Sequence, residues 1–257
     1  MCVKTIKEIT IALQQATGEE PWIKDLQNDA RKGVQKALQQ FFTKREKQQE
    51  KQKAHRERVK FDKRYGMQIA GVDEAGRGPL AGPVVTAAVI LPVDCEALTG
   101  INDSKQLSRL QRDQYAAVIK EHALSYAIHF QPVNVIDQLN IYEATKRSMA
   151  RSVGLLHEIP DFVLVDAMTL PIIYEQESII KGDEKSLSIA AASILAKTAR
   201  DAYMDDLAVK HPEYGFDKHA GYGTKQHLEA IAKHGVIAEH RKSFEPIKSM
   251  TEGGWLK

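Results

Sequence analysis

The segment that most constrains this chain is residues 71–83, which read Gly-Val-Asp-Glu-Ala-Gly-Arg-Gly-Pro-Leu-Ala-Gly-Pro. An apolar run from Met67 to Val72 has the composition of a buried strand, and the adjacent carboxylates Asp73 and Glu74 end it. A glycine-rich turn with a single arginine follows at once. Two anionic side chains beside a nearly bare backbone suit a metal-assisted reaction on a phosphodiester, because carboxylates hold cations and exposed amides can approach the substrate.

The same residues do not form a dinucleotide-binding fingerprint. Gly76 and Gly78 are followed by Pro79, and the next glycine, Gly82, lies one position too late for the pattern GxGxxG. The alternative interpretation is a tight turn of glycine and proline between two strands. We favour the metal-site interpretation because a plain turn does not require two carboxylates directly before it.

The composition places this chain among globular proteins. Of its 257 residues 43% are hydrophobic, enough for one α/β core and a smaller appendage, and a net charge of +2 identifies no partner. Cys2 and Cys95 imply no disulfide framework, so we expect a reducing, cytoplasmic environment. Lys4, Lys7 and Glu8 interrupt the N-terminus and no 18 apolar residues run together, so neither secretion nor a membrane span is expected.

Residues 1–66 differ in composition from the rest and are predicted to form a helical, basic N-terminal extension. Helical patterns cover Thr5–Gln15 and the chain after Pro21. From Lys44 to Arg64, ten basic side chains face four acidic ones, and apolar residues nearly vanish. Such a stretch is either a long solvated helix or a basic arm that binds phosphates without sequence preference. We hypothesise that it adds non-specific affinity for a nucleic-acid duplex.

From Met67 onward the pattern becomes that of an α/β domain. Two strands in direct succession, followed by strands that alternate with helices, predict a mixed sheet rather than a purely parallel one. The strand candidates are Met67–Asp73, Val84–Leu91, Leu124–Phe130, Phe162–Asp166 and Ser178–Ile180. Among the helix candidates, the third carries alanines that would let it pack close to the sheet. The helix candidates are Ser108–His122, Asn134–Leu156, Lys185–Lys210 and Lys225–His234.

Two further acidic residues lie near predicted strand or helix ends. Asp166 closes the apolar run 162–165, where sites form in open α/β sheets, and Asp183 precedes the alanine-rich helix. In the alternative interpretation Asp166 begins a turn and Asp183 is a helix N-cap. Two carboxylates about 4 Å apart repel by roughly 4 kcal/mol at an effective dielectric of 20. A converging cluster therefore needs bound cations or retained protons, and oxygen ligands favour Mg²⁺ or Mn²⁺.

Five blocks of this sequence, taken in order, closely resemble those of the bacterial ribonuclease HII family. They are Gly71–Pro83, Asn102–Ser108 (Asn-Asp-Ser-Lys-Gln-Leu-Ser), Val165–Ala167, Lys181–Asp183 with Ala190–Lys197, and His219–Thr224. The resemblance implies a ribonuclease H-like fold, a mixed β-sheet flanked by helices with a C-terminal helical segment. It places the catalytic domain at 67–210 and a segment that completes the substrate site at 211–257.

The resemblance also implies an activity. Members of this family are metal-dependent endonucleases that cut RNA–DNA hybrids and single ribonucleotides embedded in duplex DNA. They cut on the 5′ side of the ribonucleotide and leave a 3′-hydroxyl and a 5′-phosphate. The catalytic and metal-binding residues would be Asp73, Glu74, Asp166 and Asp183, with Mg²⁺ or Mn²⁺ as cofactor and two ions during catalysis. We expect nucleic acid as the partner, no membrane association and a monomer.

Further residues match the family's substrate contacts. Gly76, Arg77 and Gly78 resemble the motif that reads the 2′-hydroxyl, largely through backbone groups. A site built to hydrogen-bond a hydroxyl can reject the analogue without it by roughly 10⁴–10⁵. Tyr222 resembles the tyrosine that packs on the sugar at the ribo–deoxyribo junction, with burial in the core as the alternative. Three residues would contact phosphates and position the substrate without specifying sequence, unless they are merely turn and helix-surface residues. These are Lys105, Ser193 and Lys197.

The C-terminal histidines do not follow a zinc-binding spacing. His227 and His234 lie seven residues apart on a basic helix, so the sequence predicts a surface face rather than metal ligands.

Three other interpretations stay open. Ribonuclease HIII shares the fold but differs at the glycine motif and lacks the tyrosine, so Arg77 and Tyr222 argue against it. A non-catalytic nucleic-acid-binding module would use the carboxylates only as turns and caps. A metal phosphatase acting on small substrates would leave the basic residues 44–64 and Tyr222 without a role.

Overall fold

The computed structural model describes residues 4–18, 20–101, 104 and 107–252. The chain forms two compact units that divide after Ala54. The sequence pattern predicts the end of the extension at residue 66. The division falls earlier because residues 55–62 pack within the larger unit, where Val59 and Phe61 contact its apolar core. No helix within the described ranges is both long and apolar enough to cross a membrane.

The smaller unit consists of helices around a short apolar core. These are α1 (Ile6–Gln15), α2 (Pro21–Leu26) and the part of α3 (Lys32–Asp62) that precedes the division. The predicted second helix is interrupted between α2 and α3, because the Asp29 carboxylate accepts a hydrogen bond from the Arg31 amide and forms a turn. The buried side chains of this core are Ile9, Leu13, Ile23, Val34 and Leu38.

The larger unit is built on a mixed sheet, as predicted. Its strands are β1 (Ile69–Ala75), β2 (Val84–Ile90), β3 (Ser125–Gln131), β4 (Phe162–Asp166) and β5 (Gln176–Ile179). Among the described residues the strand order is β3-β2-β1-β4-β5. β2 pairs antiparallel with β1 and β3, whereas β4 pairs parallel with β1 and β5. The parallel half brings the carboxyl ends of β1 and β4 to one edge.

Helices cover both faces of this sheet, mainly α8 on one face and α6 on the other. The helices of the larger unit that follow β2 are α4 (Arg109–His122), α5 (Val133–Leu139), α6 (Ile141–Gly154), α7 (Gly182–Lys185), α8 (Leu187–Lys210), α9 (Phe216–His219), α10 (Lys225–His234) and α11 (Ile247–Glu252). The single helix predicted over Asn134–Leu156 is wrong. The chain breaks at Asn140, where φ is 72°, and the Asn140 side chain caps α6 instead. Ser186 similarly separates α7 from α8 and caps α8.

The small side chains of α8 allow it to lie against the sheet, as the sequence predicts. Ala190, Ala191 and Ala192 are fully buried. The approach is closest at Gly71 in β1, where an added Cβ would lie 2.0 Å from the backbone carbon of Ser188. Any side chain at position 71 would therefore push α8 away from the strand that carries the first two carboxylates.

Candidate metal centre and nucleic-acid interface

Three of the predicted acidic residues meet at the carboxyl ends of β1 and β4. Asp73 and Glu74 lie near the end of β1, and Asp166 is the last residue of β4. The two strands pair in parallel with Val72 opposite Val165, so the residues that follow them are neighbours. One carboxylate oxygen from each of the three lies within 4.8 Å of the others. This spacing allows the three side chains to share a cation.

The charges of this cluster are poorly compensated by the protein. Burial raises the pKa of Asp73 well above its usual range, and the carboxylates of Glu74 and Asp166 add to the shift. Burial also raises the pKa of Glu74, with the Arg77 guanidinium, 3.6 Å away, opposing the effect. Glu74 Oε2 is buried without a hydrogen-bond partner among the described residues. An oxygen-only cluster with an unsatisfied buried carboxylate fits a hard divalent cation.

Asp183 lies beside this cluster but is not one of the three that share a 4.8 Å neighbourhood. It belongs to the short helix α7, whose Gly182 amide donates to Asp166 Oδ1 at 2.7 Å. Its interpretation as an N-cap is wrong, because Lys181 precedes α7 and the Ser186 side chain caps α8. Burial lowers the pKa of Arg58, and the charge of the Asp183 carboxylate opposes that shift.

The glycine–arginine hairpin, residues 76–83, adjoins the carboxylates and is held by a buried arginine. Arg241 is fully buried, and its Nη1 donates to the Arg77 carbonyl at 2.9 Å. Its Nη2 donates to the carbonyls of Gly76 and Gly82 at 2.6 and 2.8 Å, and its Nε donates to Gly82 at 3.0 Å. Burial lowers the pKa of Arg241 to about 9. Its donors satisfy backbone carbonyls rather than a carboxylate.

A second buried arginine, Arg200 on α8, supports the same hairpin. Its Nε and Nη2 donate to the carbonyls of Pro83 and Ala81, each at 3.1 Å. Burial lowers the pKa of Arg200 to about 10. Gly76 has φ of 94°, and an added Cβ there would lie 2.0 Å from Arg200 Nε. Glycine at position 76 is thus required both by its backbone conformation and by the arginine behind it.

Tyr222 lies beside the hairpin with half of its surface exposed. The alternative interpretation, in which Tyr222 is buried in the core, is therefore wrong. An added Cβ on Gly78 would lie 3.5 Å from the Tyr222 ring. Residues 220–224, between α9 and α10, form the loop that carries Tyr222 (the tyrosine loop). The hairpin is joined to this loop, because the Leu80 amide donates to the Gly221 carbonyl at 2.8 Å. The ring and the bare backbone of the hairpin therefore form one continuous surface.

The tyrosine loop rests on buried histidines, and the surface position predicted for His227 is wrong. His227 and His240 are fully buried, and their Nε2 atoms lie 3.1 Å apart. His227 Nδ1 lies 3.0 Å from the Tyr222 carbonyl, and His219 Nδ1 accepts from the Gly221 amide. Burial lowers the pKa of both His227 and His240 to about 4. They are neutral packing residues, whereas His234 is exposed as predicted.

The three predicted phosphate contacts have different surroundings. Ser193 is buried, with its hydroxyl 3.1 Å from that of Ser104, and it also hydrogen-bonds Asp73. Ser193 is therefore not the helix-surface residue of the alternative interpretation. Lys197 is half-buried and pairs with Asp201. Lys105 lies outside the described residues.

Sequence reasoning missed the two buried arginines and the histidine contacts. For Arg200 a signal exists: Ala196, Arg200, Met204 and Leu207 follow the spacing of one helix face, and three of the four are apolar. A charged residue on an otherwise apolar helix face is expected to be buried and hydrogen-bonded within the protein. Arg241 lies in irregular chain and offers no comparable pattern.

Comparison with known proteins identifies the family. The family model for ribonuclease HII matches residues 70–246, and the model for the ribonuclease HII N-terminal domain matches residues 5–66. A ribonuclease HII from Halalkalibacterium halodurans is 50% identical over 95% of each chain. A ribonuclease HII from Geobacillus sp. is 48% identical over 96% of this chain and 91% of its own.

Among solved structures, the ribonuclease H2 from Pyrococcus horikoshii OT3 superposes with a TM-score of 0.64 at 26% identity. That match covers 73% of this chain and 98% of the other. This superposition shows that the fold, and not only the sequence, is that of a ribonuclease H-like protein, a mixed sheet flanked by helices. Because the family model spans more than half of the chain and the relatives match nearly its whole length, this protein belongs to the ribonuclease HII family and is a type 2 ribonuclease H, an endonuclease.

Proposed function

We propose that this protein hydrolyses the phosphodiester on the 5′ side of a ribonucleotide, both in RNA–DNA hybrids and at single ribonucleotides embedded in duplex DNA. The products are a 3′-hydroxyl and a 5′-phosphate. The observation that carries the proposal is the juxtaposition of the three-carboxylate cluster with the glycine–arginine hairpin and the exposed Tyr222 ring. One surface thus combines cation ligands with groups suited to a sugar.

The proposed metal-binding and catalytic residues are Asp73, Glu74, Asp166 and Asp183. The first three already lie together, and α7 holds Asp183 next to Asp166 through the Gly182 amide. Bound Mg²⁺ or Mn²⁺, two ions during catalysis, would neutralise charge on the scissile phosphate and make an attacking water more acidic. The protein's part is to hold these carboxylates together and oriented, with Ser193 hydrogen-bonded to Asp73.

The hairpin is the proposed reader of the 2′-hydroxyl. Gly76, Arg77 and Gly78 present backbone groups without intervening side chains, and the buried arginines behind them restrict movement of that backbone. Tyr222 offers a flat face on which a sugar can pack. A deoxyribose would leave the polar groups of the hairpin unpaired, which is a strong basis for discrimination.

Phosphate positioning is assigned to Lys105, Ser193 and Lys197. Lys197 pairs with Asp201, and a phosphate would compete with that carboxylate for the ammonium group. We further propose that the protein acts as a monomer in the cytoplasm, where its substrates are ribonucleotide-containing duplexes.

The deciding experiment uses duplex DNA that contains one ribonucleotide, with and without Mg²⁺ or Mn²⁺, and maps the nick. A nick on the 5′ side that requires the divalent ion supports the proposal. Poor cleavage at the single ribonucleotide beside good cleavage of a hybrid would indicate behaviour like that of ribonuclease HIII. Binding that is indifferent to the ion, without products, would indicate a non-catalytic role and overturn the proposal.

A further inference from the structure

The last two turns of α3 differ from the basic residues that precede them. His55, Arg58 and Val59 are buried within the larger unit, although Arg56 and Glu57 beside them are exposed. A long, positively charged helix usually presents all of its charges to water. A buried arginine in this position therefore indicates a specific structural partner.

That partner is the chain around the metal centre. Arg58 Nε donates to the Glu184 carbonyl at 3.2 Å, and Arg58 Nη1 donates to the Ile101 carbonyl at 3.0 Å. Glu184 directly follows Asp183 in α7, and Ile101 directly precedes the segment that contains Lys105. One guanidinium thus joins two segments that carry proposed site residues, which the planar geometry of arginine permits.

A second residue of the same helix end holds the chain just beyond α7. Asp62 Oδ2 accepts a hydrogen bond from the Ser188 amide at 2.9 Å, in the first turn of α8. A carboxylate there satisfies an amide that has no partner within the helix. Since Asp166 accepts from the Gly182 amide and Arg58 donates to the Glu184 carbonyl, α7 is fixed directly before and directly after Asp183.

We propose that Arg58 is a positioning residue for Asp183, so that the end of α3 helps set the affinity of the metal centre. Arg58 does not touch the reacting atoms; it fixes the carbonyl next to Asp183 and so the direction in which that carboxylate projects. The inference rests on the proposed function, since it requires Asp183 to be a metal ligand. It makes the end of the N-terminal extension part of the nuclease site. Removal of partners that orient metal ligands typically weakens metal affinity about 10- to 100-fold.

The test measures Mn²⁺ binding to the metal-free, full-length protein by calorimetry, and the Mn²⁺ concentration that half-saturates cleavage. Arg58→Ala should weaken both about 10-fold. Arg58→Lys keeps the buried charge but cannot reach both carbonyls, and should weaken both by about 3-fold. The matched control is Arg56→Ala, which removes the same charge from an exposed position of the same helix and should leave Mn²⁺ binding unchanged.

A double-mutant cycle with Asp183→Asn isolates the connection. If Arg58 acts through Asp183, adding Arg58→Ala to Asp183→Asn should weaken Mn²⁺ binding no further. Wild-type Mn²⁺ affinity in both Arg58 variants, or a full additive loss in the double variant, would overturn the inference. Failure of the wild-type protein to cleave at a ribonucleotide with Mn²⁺ would reject the proposed function itself, whereas cleavage with unchanged affinity in the Arg58 variants would reject only the positioning role.

Discussion

The carboxylate cluster and the glycine–arginine hairpin adjoin along β1, yet they are held in opposite ways. The cluster gathers like charges whose pKa values burial and mutual repulsion raise. In the hairpin, the fully buried side chains of Arg241 and Arg200 donate to backbone carbonyls that would otherwise lack partners. The carboxylate cluster is electrostatically unfavourable until a cation binds. The hairpin carbonyls, by contrast, receive their hydrogen bonds from the protein itself. Under the proposed function, the cluster serves chemistry at a cost in stability, while the hairpin is preorganised for recognition.

The largest expected effect comes from Asp73→Asn. The amide is a poor cation ligand, so cleavage should fall by at least about 10³-fold. Because the substitution removes one of three repelling carboxylates, the free energy of unfolding of the metal-free protein should stay equal or rise. Cleavage at a single embedded ribonucleotide and urea denaturation measure the two effects. Asp217→Asn, an exposed control, should change neither. A clear loss of stability in Asp73→Asn would contradict the comparison.

Arg241→Met should lower the stability of the protein, in contrast to Asp73→Asn. Methionine fills a similar space but leaves the carbonyls of Gly76, Arg77 and Gly82 without these donors, so the free energy of unfolding should fall by about 3 kcal/mol. The ratio of cleavage at a ribonucleotide to cleavage at a deoxyribonucleotide should also decrease. Urea denaturation and paired substrates test this, with the exposed Lys242→Met as control. Undiminished stability would show that the hairpin does not depend on Arg241.

The buried histidines His227 and His240, which pack beneath Tyr222, predict that the stability of the folded protein depends on pH. The pKa values of His227 and His240 are lowered to about 4 in the folded state, so the unfolded chain binds more protons below its ordinary histidine pKa. Their contribution to stability is present above about pH 6.5 and is lost as the pH falls toward 4, on the order of 3 kcal/mol for each histidine.

Urea denaturation across that pH range measures this contribution. Asp73 and Glu74, with raised pKa values, contribute with the opposite sign, so the histidine effect is read from the difference between wild type and His227→Gln. The variant should show a flatter loss of stability on acidification, whereas His234→Gln, at an exposed position, should follow the wild type. Parallel curves for wild type and His227→Gln would contradict the prediction.

The smallest effect is expected from the exposed basic residues of α3, which belong to neither region. Replacing Lys44, Lys47 and Lys51 by Gln should leave the nick position and stability unchanged. Duplex affinity should fall a few-fold, and the slope of log affinity against log salt should decrease by about one for each phosphate that the variant no longer neutralises. An unchanged slope would reject the binding-arm hypothesis. Deletion of residues 1–66 is a poorer test, since it also removes Arg58 and Asp62.

Much of the fold followed from local patterns. The apolar run before Asp73, the valine-rich β2 and the alanines of α8 predicted the mixed sheet and its close helix. The predictions failed where one polar side chain ended a helix: Asn140 and Ser186 compete for backbone amides, and periodicity does not register that competition. His227 was misplaced because its seven-residue spacing from His234 was interpreted as a surface face, whereas it lies on the buried face of α10 with Ala230 and Ile231. Its hydrogen-bonding partners, Tyr222 and His240, lie in the chain on either side of that helix.

The sequence by itself determined the chemistry of this protein, because carboxylates, glycines and a tyrosine at characteristic spacings identify a family whatever their distances in space. Only the tertiary structure decided how that chemistry is supported. Burial of Arg200, Arg241 and Arg58 depends on carbonyls up to 165 residues away along the chain, and no local pattern encodes such partners. A charged side chain is left in the interior only where several distant acceptors converge on it, and that convergence exists only in the folded chain.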